Sequence, residues 1–185
     1  MNIDVIFANA TDKELCNALT DTILSDDNER IGSLVETWED EIELLFPAVV
    51  WYAVGYFETN GFNNFWSPVF PRNEFVAGLR SFSAPVLASC VQDLIEFVPE
   101  RVRSNQEDAY DYCADKKAWL EIADLADDKL GLCRARLLNS IASFLRHNRF
   151  RYERFIKSIS DSIDSTREVL AMHDKEMRGR NKRKG

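Results

Sequence analysis

Residues that break helices are few in this chain, and most of its prolines stand at the edges of apolar segments. The 185 residues include only 7 glycines and 5 prolines, which argues against the many tight turns of a β architecture. Pro47 can occupy the first turn of an apolar helix that runs to Phe57 and ends near Gly61. The other helix ends that proline marks are the starts at Pro71 and Pro85 and the end at Pro99. These positions predict a fold built of helices.

Apolar residues at helical spacing occupy most of the remaining chain. Thr11 and Glu14 have the spacing of a capping box ahead of a first helix. From Glu29 to Leu45 the apolar residues fall on one side of a 3.6-residue repeat, which predicts a second helix. Further helices are predicted over residues 105–128 and from about 131 onward. We therefore predict an all-α fold with a compact multi-helix domain over residues 1–148 and a C-terminal helix and basic tail over residues 149–185.

The predicted C-terminal extension allows two interpretations. Its helix can fold back along the body, or it can pair with a second copy to form a homodimer. The tail from Arg178 to Gly185 is rich in Lys and Arg. It is either a solvated terminus or a contact to nucleic acid.

Composition predicts a cytoplasmic protein that is not embedded in a membrane. Hydrophobic residues make up 45% of the chain, enough for a packed core. No window of 18 apolar residues exists, and the first residues do not resemble a signal peptide. The four cysteines lie far apart without a Cys-x-x-Cys pair, which is typical of buried thiols in a reducing compartment.

Charge is divided unevenly along the chain. Residues 1–128 contain 25 of the 31 acidic residues and 8 of the 23 basic ones, a net charge of −17. Residues 129–185 contain the other 6 acidic and 15 basic residues, a net charge of +9, so the total of −8 conceals two opposed fields. The acidic part should repel nucleic acid and attract proteins that bind it.

Three groups of acids have helical spacing. Residues three or four apart on a helix lie about 5–6 Å apart at Cβ, so such groups form rows of carboxylates. Duplex DNA carries about one negative charge per 1.7 Å of its axis, at spacings that DNA-binding proteins already match. The first row is chiefly Glu36, Glu39, Asp40 and Glu43, with Glu29 one or two turns earlier; the second is Glu107, Asp108, Asp111 and Asp115; the third is Glu121, Asp124 and Asp128.

One stretch has the character of a motif. An apolar helix ends in a turn, an aromatic pair follows, and two short helices come next. The segments that carry the motif are Asn60-Gly61-Phe62, Phe65-Trp66, Phe82-Ser83-Ala84 and Val98-Pro99. In this order they resemble the bacterial DNA-mimic-protein-like domain family, which has an Asn-Gly-Gly-Phe turn, a Gln-Phe-Phe-like segment, an Ile-Gly-Ala-like turn and a closing Phe-Pro at the corresponding places.

The resemblance covers residues 33–148 and is strong over residues 49–99. It departs from the family in two places: the second glycine of the first turn is absent, and Ser83 stands where a glycine is usual. It implies an all-α fold, and members of the family are associated with mimicry of DNA. The residues Asn60, Gly61, Phe62, Phe65 and Trp66 are expected to form a structural scaffold, because glycine can follow a helix with positive φ and the rings can fold onto the core.

Motifs for catalysis are scarce. The two histidines are isolated, and no P-loop, nucleophile elbow or dinucleotide fingerprint occurs. One enzymatic alternative is a magnesium-dependent all-α nucleotide pyrophosphatase, in which the carboxylate pairs Glu36/Glu39 and Glu121/Asp124 hold the ion. The prediction is nevertheless a protein without catalysis, metal or cofactor.

The predicted function is to bind a basic DNA-binding protein through DNA-like rows of carboxylates. The acidic body is expected not to bind nucleic acid itself. An alternative of the same physical kind is an immunity or antitoxin protein that covers the basic cleft of a nuclease toxin. Both functions require only a positively charged surface on the target.

Overall fold

The computed structural model describes residues 7–24, 39–68 and 70–157. Regular structure in these ranges is helical throughout, and none of them contains a strand, so the prediction of an all-α fold is confirmed. The chain divides into two compact units, Met1–His147 and Asn148–Gly185.

In its described ranges the first unit is built of α-helices and 3-10 segments. They are α1 (Asp12–Leu24), a 3-10 helix (Glu39–Leu44), α2 (Phe46–Asn60), a 3-10 turn (Phe62–Asn64), α3 (Arg72–Ser81), α4 (Pro85–Phe97), α5 (Glu100–Arg103), α6 (Gln106–Cys113) and α7 (Lys117–His147).

The helix ends predicted from capping residues and prolines are confirmed. Glu14 accepts a hydrogen bond from the Thr11 backbone N–H at 2.8 Å, and the Thr11 hydroxyl accepts one from the Glu14 N–H at 3.4 Å, which is a capping box. Pro47 lies in the first turn of α2, and Gly61 ends this helix with a φ of 73°. Pro71 and Pro85 begin α3 and α4.

Helix α2 is the centre of the first unit. It packs against α1, α3, α7 and both 3-10 segments, and it is apolar around most of its circumference. At its C-terminal end Phe57 stacks on Phe62 with ring centroids 4.3 Å apart. Phe65, Phe70 and Phe75 complete this cluster, and all of its rings are buried. The burial of so many large rings makes the cluster the main stabilising feature near the motif.

Arg72 closes the aromatic cluster on one side. Its guanidinium lies 4.3 Å from the centroid of the Trp66 ring system and donates to the carbonyls of Phe65 and Pro68 at 3.3 and 3.0 Å. Burial lowers the pKa of the Arg72 guanidinium to about 10, so the group stays charged at neutral pH. This cation binds the segment between α2 and α3 to the core.

Two predicted helix boundaries are wrong. The backbone of Glu39–Leu44 forms a 3-10 helix with about three residues per turn, not the end of an α-helix. No break occurs near Gly131, because α7 continues over 31 residues to His147. Gly131 is exposed in the middle of α7, and buried Leu130 and Cys133 continue the apolar seam across it.

The second unit is described as far as residue 157. Residues 149–157 form a helix, α8, which begins after a turn at Asn148. Arg149 pairs with Glu153 one turn later, with Nε and Oε1 2.7 Å apart. The basic tail and the segment proposed for a homodimer lie outside the described residues.

Candidate acidic interface

Three of the four acids of the second row, Glu107, Asp108 and Asp111, lie on α6, whereas Asp115 lies after the helix ends at Cys113, so the helical spacing predicted for Asp115 is wrong. Asn105 caps this helix, since its side-chain oxygen accepts from the backbone N–H groups of Glu107 and Asp108. Both acids stand in the first turn, where the partial positive charge of a helix N-terminus stabilises them. Asp111 follows one turn later, and Asp115 comes after the helix end. All four side chains are exposed.

These four carboxylates have no ion-pair partner within the described ranges. The bases that pair with acids of the front part of the chain go elsewhere: Arg134 pairs with Glu58, and Arg146 pairs with Asp12. Lys116, beside Asp115, lies over the ring of Tyr112. No ion pair within the described ranges therefore offsets the charge of this second row.

An open groove of about 480 Å³ adjoins the start of α6. Trp66 and Ser67 form one side, and the amide of Gln106 crosses to donate to the Ser67 carbonyl. Glu107 and Tyr110 from α6 line it as well, and Tyr110 is 41% exposed. The groove thus places a carboxylate and an aromatic ring side by side at the surface.

The third row lies on the first half of α7. Glu121, Asp124 and Asp128 are all exposed. Glu121 pairs with Lys117 at 3.6 Å, but this pair is highly exposed and contributes little to stability.

Asp127 is a fourth carboxylate on α7 that the sequence prediction missed. It is half-buried and accepts the backbone N–H of Phe62 at 3.1 Å. Burial raises the pKa of its carboxyl, the bond from Phe62 lowers it, and the charges of Asp124 and Asp128 raise it again. Sequence could not assign this role, because the partner is 65 residues away.

We predict that Asp127→Asn becomes more stable than the wild type as pH rises. Because the pKa of the Asp127 carboxyl is raised in the folded protein, the carboxyl contributes its full stability below the ordinary Asp pKa of about 3.9. That contribution is lost as pH rises through the pKa of the folded protein. The amide keeps an acceptor for Phe62 and carries no charge. Urea unfolding at about pH 4 and about pH 7 measures the difference, with Asp93→Asn at an exposed site as control. The prediction is contradicted if the free energy of unfolding of Asp127→Asn, relative to the wild type, decreases from about pH 4 to about pH 7.

The first row is the least supported. Glu29 and Glu36 lie outside the described residues, and Glu39 and Asp40 belong to the 3-10 helix, so the α-helical spacing assumed for them is wrong. Glu43, expected on an exposed face, is half-buried and interacts with other groups of the protein.

The motif after α2 is positioned by packing and by hydrogen bonds. The Asn60 side chain donates to the Tyr56 carbonyl at 2.9 Å, and the rings of Phe62, Phe65 and Trp66 are buried. Gly61 passes so close to α7 that an added Cβ would lie 3.3 Å from Asp127 Oδ2. The turn is therefore part of the scaffold between α2 and α7.

Metal binding and thiol reactivity both depend on how the side chains of the described ranges are arranged. No three His, Cys, Asp or Glu side chains there are arranged to hold a metal ion. The four cysteines are free and buried, as predicted. Burial raises the pKa of the Cys16 thiol to about 12 and that of Cys113 to about 11, so both stay protonated and unreactive.

Within the described helices, none is long and apolar enough to cross a membrane. Comparison with known proteins finds no matching family model, no matching curated protein and no matching solved structure.

Proposed function

We propose that this chain is a non-catalytic interaction protein whose carboxylates bind a basic DNA-binding protein in place of DNA. The observation that carries the proposal is the charge of α6. Glu107, Asp108 and Asp111 are exposed, lie on a capped helix and have no neutralising base in the described structure. The opposite side of α6 is anchored by buried Ala109 and Cys113.

The density of charge on α6 is comparable to that of a nucleic-acid strand. Its eight residues span about 12 Å at 1.5 Å per residue. One strand of duplex DNA carries a charge about every 3.4 Å, so 12 Å holds three to four phosphates. The three acids of α6 lie within about 100° of arc, since each residue turns the helix by that amount. A protein surface that binds a row of phosphates can therefore bind these three carboxylates instead.

The groove beside α6 suits a basic side chain. Arg and Lys bind well where a carboxylate accepts their N–H groups and an aromatic ring accepts their charge. Glu107 and Tyr110 supply these two features at the groove wall. We expect one Arg or Lys of the partner to anchor there.

The resemblance to the DNA-mimic-protein-like family supports the same proposal. Ser83, at the position where the family has glycine, has a φ of 62°, a left-handed conformation that glycine adopts without strain. The backbone at Ser83 thus has a conformation that favours glycine, which is the usual residue of the family at this position. A transcription regulator and a nuclease toxin are both basic DNA-binding proteins, and either can be the partner.

Neutralising α6 is expected to weaken capture of the partner about tenfold, since each exposed charge pair contributes up to about 1 kcal/mol. The variant is Glu107→Gln/Asp108→Asn/Asp111→Asn. Immobilised full-length protein captures partners from a host extract, duplex DNA elutes them, and mass spectrometry identifies them. Binding to the wild type should weaken as salt rises, because exposed charges are screened over about 8–10 Å.

The matched control is Asp93→Asn/Glu96→Gln/Glu100→Gln, which removes the same charge from exposed positions on α4 and α5. If both triple variants lose capture equally, net charge and not the α6 row is responsible. Capture that duplex DNA does not release, or that high salt leaves unchanged, would refute the proposal.

A further inference from the structure

Helix α7 has an apolar stripe on the face opposite its buried side. Leu125 and Leu132 are 45% and 81% exposed, whereas Trp119, Ala126 and Leu130 are buried. The two exposed leucines are seven residues apart, which separates them by only about 20° around a helix. They therefore lie on one outward line.

Acids alternate with the leucines along this stripe. Glu121, Leu125, Asp128 and Leu132 follow one another at steps of four, three and four residues, the spacing of a helix–helix seam.

The acids determine what kind of helix can cover the stripe. In a parallel pair of two α7 helices, Glu121 and Asp128 would each face their own copy, and like charges repel across such a seam. In an antiparallel pair Glu121 would face Leu132 and Asp128 would face Leu125, which desolvates each carboxylate without a partner. A helix with Lys or Arg at the facing positions would neutralise Asp128 and replace the exposed pair of Glu121 with Lys117. The stripe is therefore complementary to a basic amphipathic helix.

We infer that the partner docks a basic amphipathic helix on α7, with apolar side chains against Leu125 and Leu132 and basic ones against Glu121 and Asp128. This inference rests on the proposed function and adds an apolar contact to its charges. Binding of this kind is known for amphipathic helices, which contact their target through side chains spaced three, four and seven residues apart.

The probe is a synthetic helical peptide with leucines at seam spacing and lysines elsewhere. A second peptide has the same composition with its leucines distributed around the helix. With the full chain we expect the patterned peptide to bind about tenfold more tightly, since it can bury leucine side chains. Leu132→Gln should remove most of this advantage, and because Leu132 is 81% exposed the fold should be unaffected. Leu120→Gln, at a residue 42% exposed elsewhere on α7, is the control.

The outcomes separate this inference from the proposed function. If both peptides bind equally and only the α6 triple variant weakens binding, the docking stripe is refuted and the charge-based function stands. If Leu132→Gln weakens peptide binding and the α6 triple variant does not, the docking stripe on α7 is supported and the α6 row is not part of the binding surface. If light scattering shows a dimer that Leu132→Gln converts to a monomer, a second copy covers the stripe and the inference is overturned. Failure of both peptides to bind refutes the docking stripe, and the capture experiment with the α6 triple variant then decides the proposed function separately.

Discussion

Replacement of Phe57 by alanine is expected to lower the free energy of unfolding by about 3–5 kcal/mol. Phe57 is 1% exposed and contacts four other phenylalanine rings, the nearest being Phe62 at 4.3 Å. Its removal leaves a cavity where the end of α2 meets the following turn, and close-packed rings cannot collapse fully into it. Urea or guanidinium unfolding followed by circular dichroism measures the loss.

The same substitution at Phe150 is a matched control. This side chain is 78% exposed, so Phe150→Ala should change the free energy of unfolding by no more than about 0.5 kcal/mol. Equal losses at the two positions would show that the cluster around Phe57 does not hold the fold together.

Gly61→Ala is expected to cost about 1–3 kcal/mol. The φ of 73° and ψ of 160° at Gly61 belong to a region that essentially only glycine occupies. An added Cβ would also lie 2.8 Å from Asn63 Oδ1 and 3.3 Å from Asp127 Oδ2. Either the turn or the bond between Asp127 and Phe62 must then shift. Thermal and denaturant unfolding of the variant measure the effect.

Gly131→Ala is expected to change the free energy of unfolding in the opposite direction to Gly61→Ala. Gly131 lies within α7 and an added Cβ has open space, so alanine should stabilise the protein by about 0.5–1 kcal/mol through its higher helix propensity. A destabilised Gly131→Ala, or a neutral Gly61→Ala, would show that the backbone at these positions is not as described.

The helix ends could be predicted because their signals are local. Thr11 and Glu14 are three residues apart, and Pro47 and Gly61 bracket a single apolar segment. Capping and proline geometry depend on neighbouring residues only, so the tertiary fold does not have to be known. The exposed acids of α6 were predictable for the same reason.

Features set by tertiary contacts were not predictable. Over the six residues of Glu39–Leu44, apolar spacing does not distinguish a repeat of three from one of 3.6. The predicted separation of a helix over residues 105–128 from one that begins at about residue 131 is wrong, because the apolar seam on both sides of Gly131 outweighs the modest cost of a glycine. The bond from Phe62 to Asp127 and the exposed Leu132 depend on which surfaces meet, and spacing along the chain does not contain that information.

The cap on α6 has a consequence for how a partner would be released. Asn105 satisfies the first amides of the helix, so the Glu107 and Asp108 carboxylates are not needed for capping and remain available to a partner. A partner bound there as we propose would meet a helix that is already formed, and little ordering of the α6 backbone would be required. A stronger polyanion would then displace that partner without unfolding α6.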